Sequence, residues 1–285
     1  PAPTPATATA RPRVVVLGAS IAGLLTAAAI VRHADVTLVD RDPIHEDLTG
    51  PRRGVPQSRH THGVLVGGSR VIERLLPGVS AELEQRGALL GDVVGGSRWV
   101  LRDTPLLAFP TTLVGLLCSR TLLESQIRRR VTALPGVRVV SEHDIVGLVT
   151  DSRNERVTGV RIAARPDGSR PSGTRELRAD LVVDATGRGS RLPRWLADLG
   201  YAEPEETRVE ASVSYATRSF RTDPSVLEGI DAVVVGTDVH TGRSAAALRQ
   251  EGSRWSVTLS QANGGSPPLD VDGFAQWAAT LPTPD

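Results

Sequence analysis

Residues 13–40 read RVVVLGASIAGLLTAAAIVRHADVTLVD. Val14 to Leu17 is a β-branched run suited to a strand buried on both faces. Gly18 and Gly23 bracket a turn. Residues 21–31 are rich in Ala and Leu, as a helix requires. Asp35 to Asp40 reads as a second short strand. Strand, glycine turn, helix and strand open a βαβ unit, and such units build parallel sheets. The uncharged run Val14 to Val31 also reaches the length threshold of a membrane-spanning helix, and Arg11 and Arg13 ahead of it would suit a signal peptide. The β-branched start, the bracketing glycines and the strand that follows favour the βαβ unit over both.

The turn Gly18-Ala19-Ser20-Ile21-Ala22-Gly23 departs from G-x-G-x-x-G at its middle position, where Ser20 replaces glycine. Its context strengthens it. Asp40 lies about 20 residues on, at the end of the next strand, where an acid receives ribose hydroxyls. The helix N-terminus aims N–H groups and a positive dipole end at a pyrophosphate. Ser20 adds a hydroxyl able to donate to a phosphate oxygen. A tight turn without ligand makes the same backbone demands, and the motif does not separate FAD from NAD. A second strand-to-turn passage, DLVVDATGRGSR at residues 180–191, runs a hydrophobic strand into Asp184. An acid there can receive ribitol or ribose hydroxyls, and Gly187 lets the backbone approach a ligand. A plain glycine turn with Arg188 and Arg191 in solvent is the alternative.

The chain has 285 residues, enough for one large domain or two smaller ones. At 40% hydrophobic and 23% charged it is ordinary globular material. Cys118 is the one cysteine, so no internal disulfide forms and a cytoplasmic location is expected. Net charge is +1 and aromatics are 3%, which argues against a nucleic-acid partner. All 33 basic residues are Arg, and there is neither Lys nor Met.

Residues 1–12 read as a disordered tail. Helices are expected from Ser69 to Leu76, from Ser80 to Arg86 and from Ser119 to Leu134. In the last, Leu123, Ile127 and Val131 repeat at helical spacing and Pro135-Gly136 ends it. Short strands are expected within 88–117. Further strands are Val137 to Val140, Ile145 to Thr150, Arg156 to Ala164 and Glu176 to Asp184, with a loop at 167–174, and a helix covers Leu192 to Leu199. After residue 205 the strands Val209 to Arg218, Ala232 to Gly236, Ser244 to Arg249 and Trp255 to Ser260 follow one another without helices, then a helix from Asp272 to Leu281. That change predicts an α/β chain. A doubly wound, Rossmann-like dinucleotide domain takes 13–87 and 113–204, and a β-sheet substrate domain takes 88–112 and 205–285. No membrane span is expected. Arg52 and Arg53, and Arg128 to Arg130, read as solvated faces, the second set at a helix C-terminus that favours cations. His60 and His62 form an H-x-H pair, but His33, His45, His143 and His240 are scattered and no Cys partners them, so no metal site is expected.

The stretches VVVLGASIAGLLTA, GVPQSRHTHGVL, SRTLLE, LVVDATGRGSRLPRWLADLGY and VSYATRSFR fall between residues 13 and 221. Together they resemble FAD-dependent monooxygenases of the aromatic-hydroxylase fold, closest to bacterial epoxidases and hydroxylases of polyketides, including those that epoxidise polyenes in polyether and antibiotic biosynthesis. The resemblance implies FAD as cofactor, O₂ as co-substrate, and NAD(P)H or a partner reductase as electron donor. It implies oxygen insertion by a flavin C4a-hydroperoxide into an apolar polyketide alkene, with hydroxylation of an aromatic or polyketide ring as the second choice. It places Gly18, Ala19, Ser20, Ile21, Ala22 and Gly23 at the FAD pyrophosphate, and Asp40 and Arg41 at the adenosine ribose. Arg120 would lie toward the ribityl–phosphate part, Ile145 beside adenine, and Asp184 and Gly187 in the second FAD motif. Arg59, His60 and His62 fall in the segment on the flavin side. Alternation along the strand expected from Val209 puts Val213 and Tyr215 toward substrate. The family's third FAD motif, a Gly-Asp before a Gly-rich helix start, has no match after the substrate region. This implies that the C-terminal part of the fold lies outside this sequence, with a C-terminal fragment of the same protein as a partner. Flavin halogenases share the FAD fold but use an active-site Lys, which this chain lacks. A flavin-dependent double-bond reductase and a non-catalytic fragment completed by a second chain are further alternatives.

Overall fold

The computed structural model describes residues 10–45, 50, 52, 54–165, 172–223, 225 and 227–283. The expected tail up to residue 9 and the expected loop from 167 to 171 lie outside the described residues, as does Arg53. In chain order the elements are β1 (Arg13–Leu17), α1 (Ile21–Ile30), β2 (Asp35–Val39), β3 (Gly63–Val64), α2 (Val66–Leu75), α3 (Val79–Gln85), β4 (Leu89–Asp92), β5 (Ser97–Leu101), β6 (Thr104–Pro105), β7 (Val114–Leu117) and α4 (Arg120–Thr132). There follow β8 (Val137–Val140), β9 (His143–Thr150), β10 (Val157–Ala164), β11 (Ser172–Arg178), β12 (Leu181–Asp184), α5 (Leu192–Asp198), β13 (Val213–Arg221), β14 (Ala232–Val235), β15 (Arg243–Gln250), β16 (Arg254–Ala262) and α6 (Val271–Ala278). They cluster into two compact units, residues 1–48 with 127–205 and residues 49–126 with 206–285.

The first unit is built on a parallel sheet of order β12-β1-β2-β8. Its first strand sits between its second and its last, so the order reverses at β1. Ligands of doubly wound sheets bind at such a switch point, beyond the strand C-termini. A second sheet, the antiparallel meander β11-β10-β9, packs on it. Val15, Leu17 and Val39 of the parallel sheet meet Val160, Ile162 and Leu177 of the meander. Each such buried aliphatic side chain contributes about 1.5–3 kcal/mol. The strand expected over Glu176 to Asp184 is two strands in different sheets. β11 pairs antiparallel with β10, whereas β12 pairs parallel with β1. Between them the Asp180 carboxylate accepts the Arg13 N–H at 2.8 Å, which fixes the crossover.

The second unit holds a six-stranded sheet, β13-β16-β15-β14-β5-β6, and a three-stranded one, β3-β7-β4. Side chains alternate across β13 and β16. Ala216 and Leu259 face α6, where they bury Phe274 and Trp277. Asp270 caps α6 by accepting the Gly273 N–H at 2.7 Å. The expected strand from Val209 begins only at Val213. Val209 is 89% exposed, with no neighbouring strand to reward its alternation. Residues 49–87 and 113–126, expected with the dinucleotide half, cluster here, because β3 and β4 both pair with β7.

Two charge readings are corrected. Arg52 is buried and its guanidinium meets the Glu124 carboxylate at 2.7 Å. Arg128 is buried too. Residues 122–128 are buried without a break, so α4 has no solvent face there, and of its three consecutive arginines Arg129 alone is exposed.

Glycine is required in the first turn for two distinct reasons. Gly18 has φ +92°, and a Cβ on it would stand 2.7 Å from the Ala185 carbonyl oxygen. Gly23 has an ordinary helical backbone, but its Cβ would fall 1.8 Å from the Gly18 carbonyl oxygen. Gly187 differs from both: its φ is +72° and nothing lies within 4 Å of its Cβ position. Gly23→Ala is therefore expected to lower unfolding free energy by about 3 kcal/mol through overpacking. Gly187→Ala should cost about 1–2 kcal/mol through its backbone alone. Urea denaturation checks the order, and equal losses would contradict the packing account.

Candidate functional site

In the first unit the C-terminal ends of β1, β2 and β12 meet. The Gly18 N–H donates to the Val39 carbonyl at 2.7 Å, and the Ala185 N–H to the Leu17 carbonyl at 2.8 Å. Asp40 is buried. One of its oxygens accepts the Ala19 N–H at 2.6 Å and the other the Asp42 N–H at 2.8 Å. This carboxylate thus ties the glycine turn to the end of β2. Asp184 plays the parallel part at β12, accepting from Thr186 N–H at 2.8 Å, Thr186 Oγ1 at 2.5 Å and Ser190 Oγ at 2.5 Å. A carboxylate offers about four acceptor sites, so one is left. The His143 N–H donates to the Asp40 carbonyl at 3.1 Å, which brings the start of β9, and Ile145 two residues on, to the same end. Arg41 is exposed beside it.

The N-terminus of α1 opens here. The first intrahelical bond is Leu24 N–H to Ser20 carbonyl at 2.9 Å. Among the described residues, the N–H groups of Ile21, Ala22 and Gly23 have no acceptor. Three orphan donors at a positive helix end fit an anionic phosphate, and the open space over Gly187 leaves room for a ligand's approach. Gly18 to Gly23, Asp40, Arg41, Asp184 and Gly187 are thus brought to one end of the parallel sheet, with Ile145 near the start of β9 in the adjoining meander. These residues fit the adenosine diphosphate part of FAD.

Arg59, His60, His62, Arg120, Val213 and Tyr215 belong to the second unit. Arg59 is exposed at the end of a 3₁₀ turn. Arg120 lies 3.5 Å from Glu124, one turn along α4. His60, His62 and Tyr215 line a cavity of about 710 Å³ within this unit, while Val213 does not line it and stands 43% exposed. The cavity walls are mainly apolar, with Val64, Leu65, Trp99, Leu117, Val234 and Leu248 prominent. Pattern reading missed Trp99 and the wall from β14 and β15. It also missed Thr258 of β16, whose S-V-T-L-S alternation (Ser256 to Ser260) looks like a solvent face.

Two ionisable groups of the lining are perturbed. Hydrogen bonds from the Thr111 hydroxyl and from the Gly95 and Thr111 backbone hold the Asp92 carboxyl far below the usual carboxylate range. Burial lowers His62 from 6.5, helped by the nearby charges of Arg120 and His60. Its hydrogen bond to the His60 carbonyl opposes this shift. Among the described residues there is no group of three or more His, Cys, Asp or Glu able to hold a metal, and no helix long and apolar enough to cross a membrane.

No family model matches the chain. Protein Rv3254 of Mycobacterium tuberculosis (strain ATCC 25618 / H37Rv) is 33% identical over 278 residues, covering 94% of this chain and 57% of that protein. The chain thus spans little more than half the length of this curated relative. PqsL, a probable FAD-dependent monooxygenase from Pseudomonas aeruginosa, superposes with TM-score 0.63 at 20% identity over 88% of this chain and 60% of that one. p-Nitrophenol 4-monooxygenase PnpA from Pseudomonas putida DLL-E4 gives 0.62 at 17%, over 94% and 61%. The flavin-dependent brominase Bmp2 gives 0.59 at 15%, over 88% and 56%. The chain has the fold of these flavin enzymes. That fold serves both oxygenation and halogenation, so it does not by itself choose a reaction.

The His62 shift has a sign that can be checked. Above 6.5 the ring is neutral in both folded and unfolded chains. As pH falls below 6.5 the unfolded chain takes up the proton first, so stability falls with pH in that window. An NMR titration should place the His62 midpoint below 6.5. A midpoint above that value would contradict the burial account.

Proposed function

We propose that this chain belongs to an FAD-dependent monooxygenase that places one oxygen atom from O₂ into an apolar small molecule. The observation that carries the reading is the cradle at the ends of β1, β2 and β12. There three orphan amides of α1, the Asp40 carboxylate and the open approach over Gly187 fit a flavin dinucleotide. In this reading Gly18 to Gly23 meet the pyrophosphate, Asp40 and Arg41 the ribose, and Ile145 the adenine through its backbone. Asp184 offers its remaining acceptor site to a ribityl hydroxyl, and Arg59 and Arg120 serve the flavin and phosphate side. The flavin supplies the oxygen activation, with electrons from NAD(P)H or a reductase.

The chain's own residues then bind and orient substrate and exclude water. The largely apolar cavity lined by Trp99, Leu248 and Tyr215 supports an apolar substrate bound mainly through buried area. Epoxidation of an alkene in a polyketide of polyether type is the first reading. A specific observation favours hydroxylation of an aromatic or polyketide ring as the second: His60, His62 and Tyr215 give the cavity a polar edge. A cytoplasmic location and completion by a C-terminal portion of the same protein go with this proposal.

Asp40→Ala should weaken FAD binding by about 1.5–3 kcal/mol, the scale of hydrogen bonds to a charged group. Titration by flavin fluorescence or heat measures it, and unchanged affinity removes Asp40 from the site. Turnover under ¹⁸O₂ should place one labelled atom in the product. Product free of label would contradict oxygenation.

A further inference from the structure

A chain of side chains beside the cavity determines which edge of His60 is available. Thr258 Oγ1 donates to Thr61 Oγ1 at 2.8 Å and accepts the Thr61 backbone N–H at 3.3 Å. Its one proton is therefore committed, so in its 2.7 Å contact with Thr217 the proton comes from Thr217. Thr217 then has no proton left for its 2.8 Å contact with His60 Nδ1, and the ring must donate there. At the other end Thr61 Oγ1 and Ser256 Oγ lie 2.8 Å apart, where either hydroxyl can donate. The bonds run one way, from His60 through Thr217 and Thr258 to Thr61. Thr258 and Ser256 are buried.

In a neutral imidazole, a protonated Nδ1 leaves Nε2 as an acceptor. Among the described residues His60 Nε2 has no hydrogen-bond partner, and the residue lines the cavity. His62 repeats the arrangement: its Nδ1–H donates to the His60 carbonyl at 2.8 Å, leaving its Nε2 as an acceptor on the same cavity. Among the described residues no arginine lines this cavity, and Asp92 on its wall is held far below the usual carboxylate range, which disfavours an anionic ligand.

We propose that His60 Nε2 is a hydrogen-bond acceptor of this cavity, held in that state by the chain from Thr217 through Thr258 to Thr61, and that the ligand is a neutral, largely apolar molecule carrying a hydroxyl or N–H donor. This deepens, and rests on, the reading of the cavity as the substrate site. Thr217 acts as a positioning residue through His60.

The test needs neither flavin nor oxygen, so its outcome is separate from that of the oxygenase reading. In ¹⁵N-histidine-labelled protein at about pH 8.5, well above the ordinary histidine value, His60 should show the Nδ1–H tautomer. Thr217→Val should shift it toward Nε2–H, and Thr217→Ser should restore it. With 1-naphthol and 1-methoxynaphthalene as probes, the wild type should bind the naphthol about tenfold tighter, about 1.4 kcal/mol. That preference should shrink in Thr217→Val and survive in Thr217→Ser. An Nε2–H tautomer in the wild type, or equal affinity for the two probes, overturns the proposal. Both wild-type measurements stand even where Thr217→Val fails to fold.

Discussion

No side chain fits between the first glycine turn and the backbone that follows β12. The Cβ position of Gly18 lies 2.7 Å from the Ala185 carbonyl oxygen, and that of Gly23 lies 1.8 Å from the carbonyl of Gly18 itself. This close approach lets β12 lie beside β1, puts the order reversal at β1, and brings Asp40 and Asp184 to one end of the sheet. It also sets α1 so that its first amides point past the strand ends. Two carboxylates then complete the turn, Asp40 through the Ala19 and Asp42 amides and Asp184 through Thr186 and Ser190. Each supports the backbone first, and its service to a ligand comes on top of that.

The first unit was largely legible in the sequence because its signals are local. Val14 to Leu17 read best as a buried strand once Gly18 ended it, and the Asp40 spacing followed from the helix between. The acid at each strand end was found by position, but its backbone role was not, since a hydrogen bond to Ala19 depends on how the turn packs. The split of Glu176 to Asp184 into β11 and β12 was hidden for a similar reason. The alternation is continuous through Ala179, and only pairing partners far along the chain separate the two strands. Arg52 and Arg128 misled because charge was read as solvent exposure, whereas one is satisfied by Glu124 and the other ends the buried stretch 122–128 of α4.

The second unit was harder to read. Alternating apolar and polar residues on a strand tell which side chains share a face, not whether the polar face meets water. In β13 and β16 the apolar face meets α6. The polar face carries Thr217, Thr258 and Ser256, which meet Thr61 and His60 rather than solvent. The order of hydrogen bonds there depends on a loop 197 residues away in the chain from Thr258. The H-x-H pair was noticeable in the sequence, but its use as two Nε2 acceptors follows from Nδ1 partners that spacing does not disclose.

The central claim is that a flavin dinucleotide binds at the ends of β1, β2 and β12. Amide hydrogen exchange with and without FAD tests it directly. The account predicts slowed exchange confined in the first unit to the Ile21, Ala22 and Gly23 amides, the segment just after Asp40, the start of β9 around Ile145 and the 185–189 turn. FAD that leaves these amides unprotected, or protects β10 and β11 instead, would contradict it.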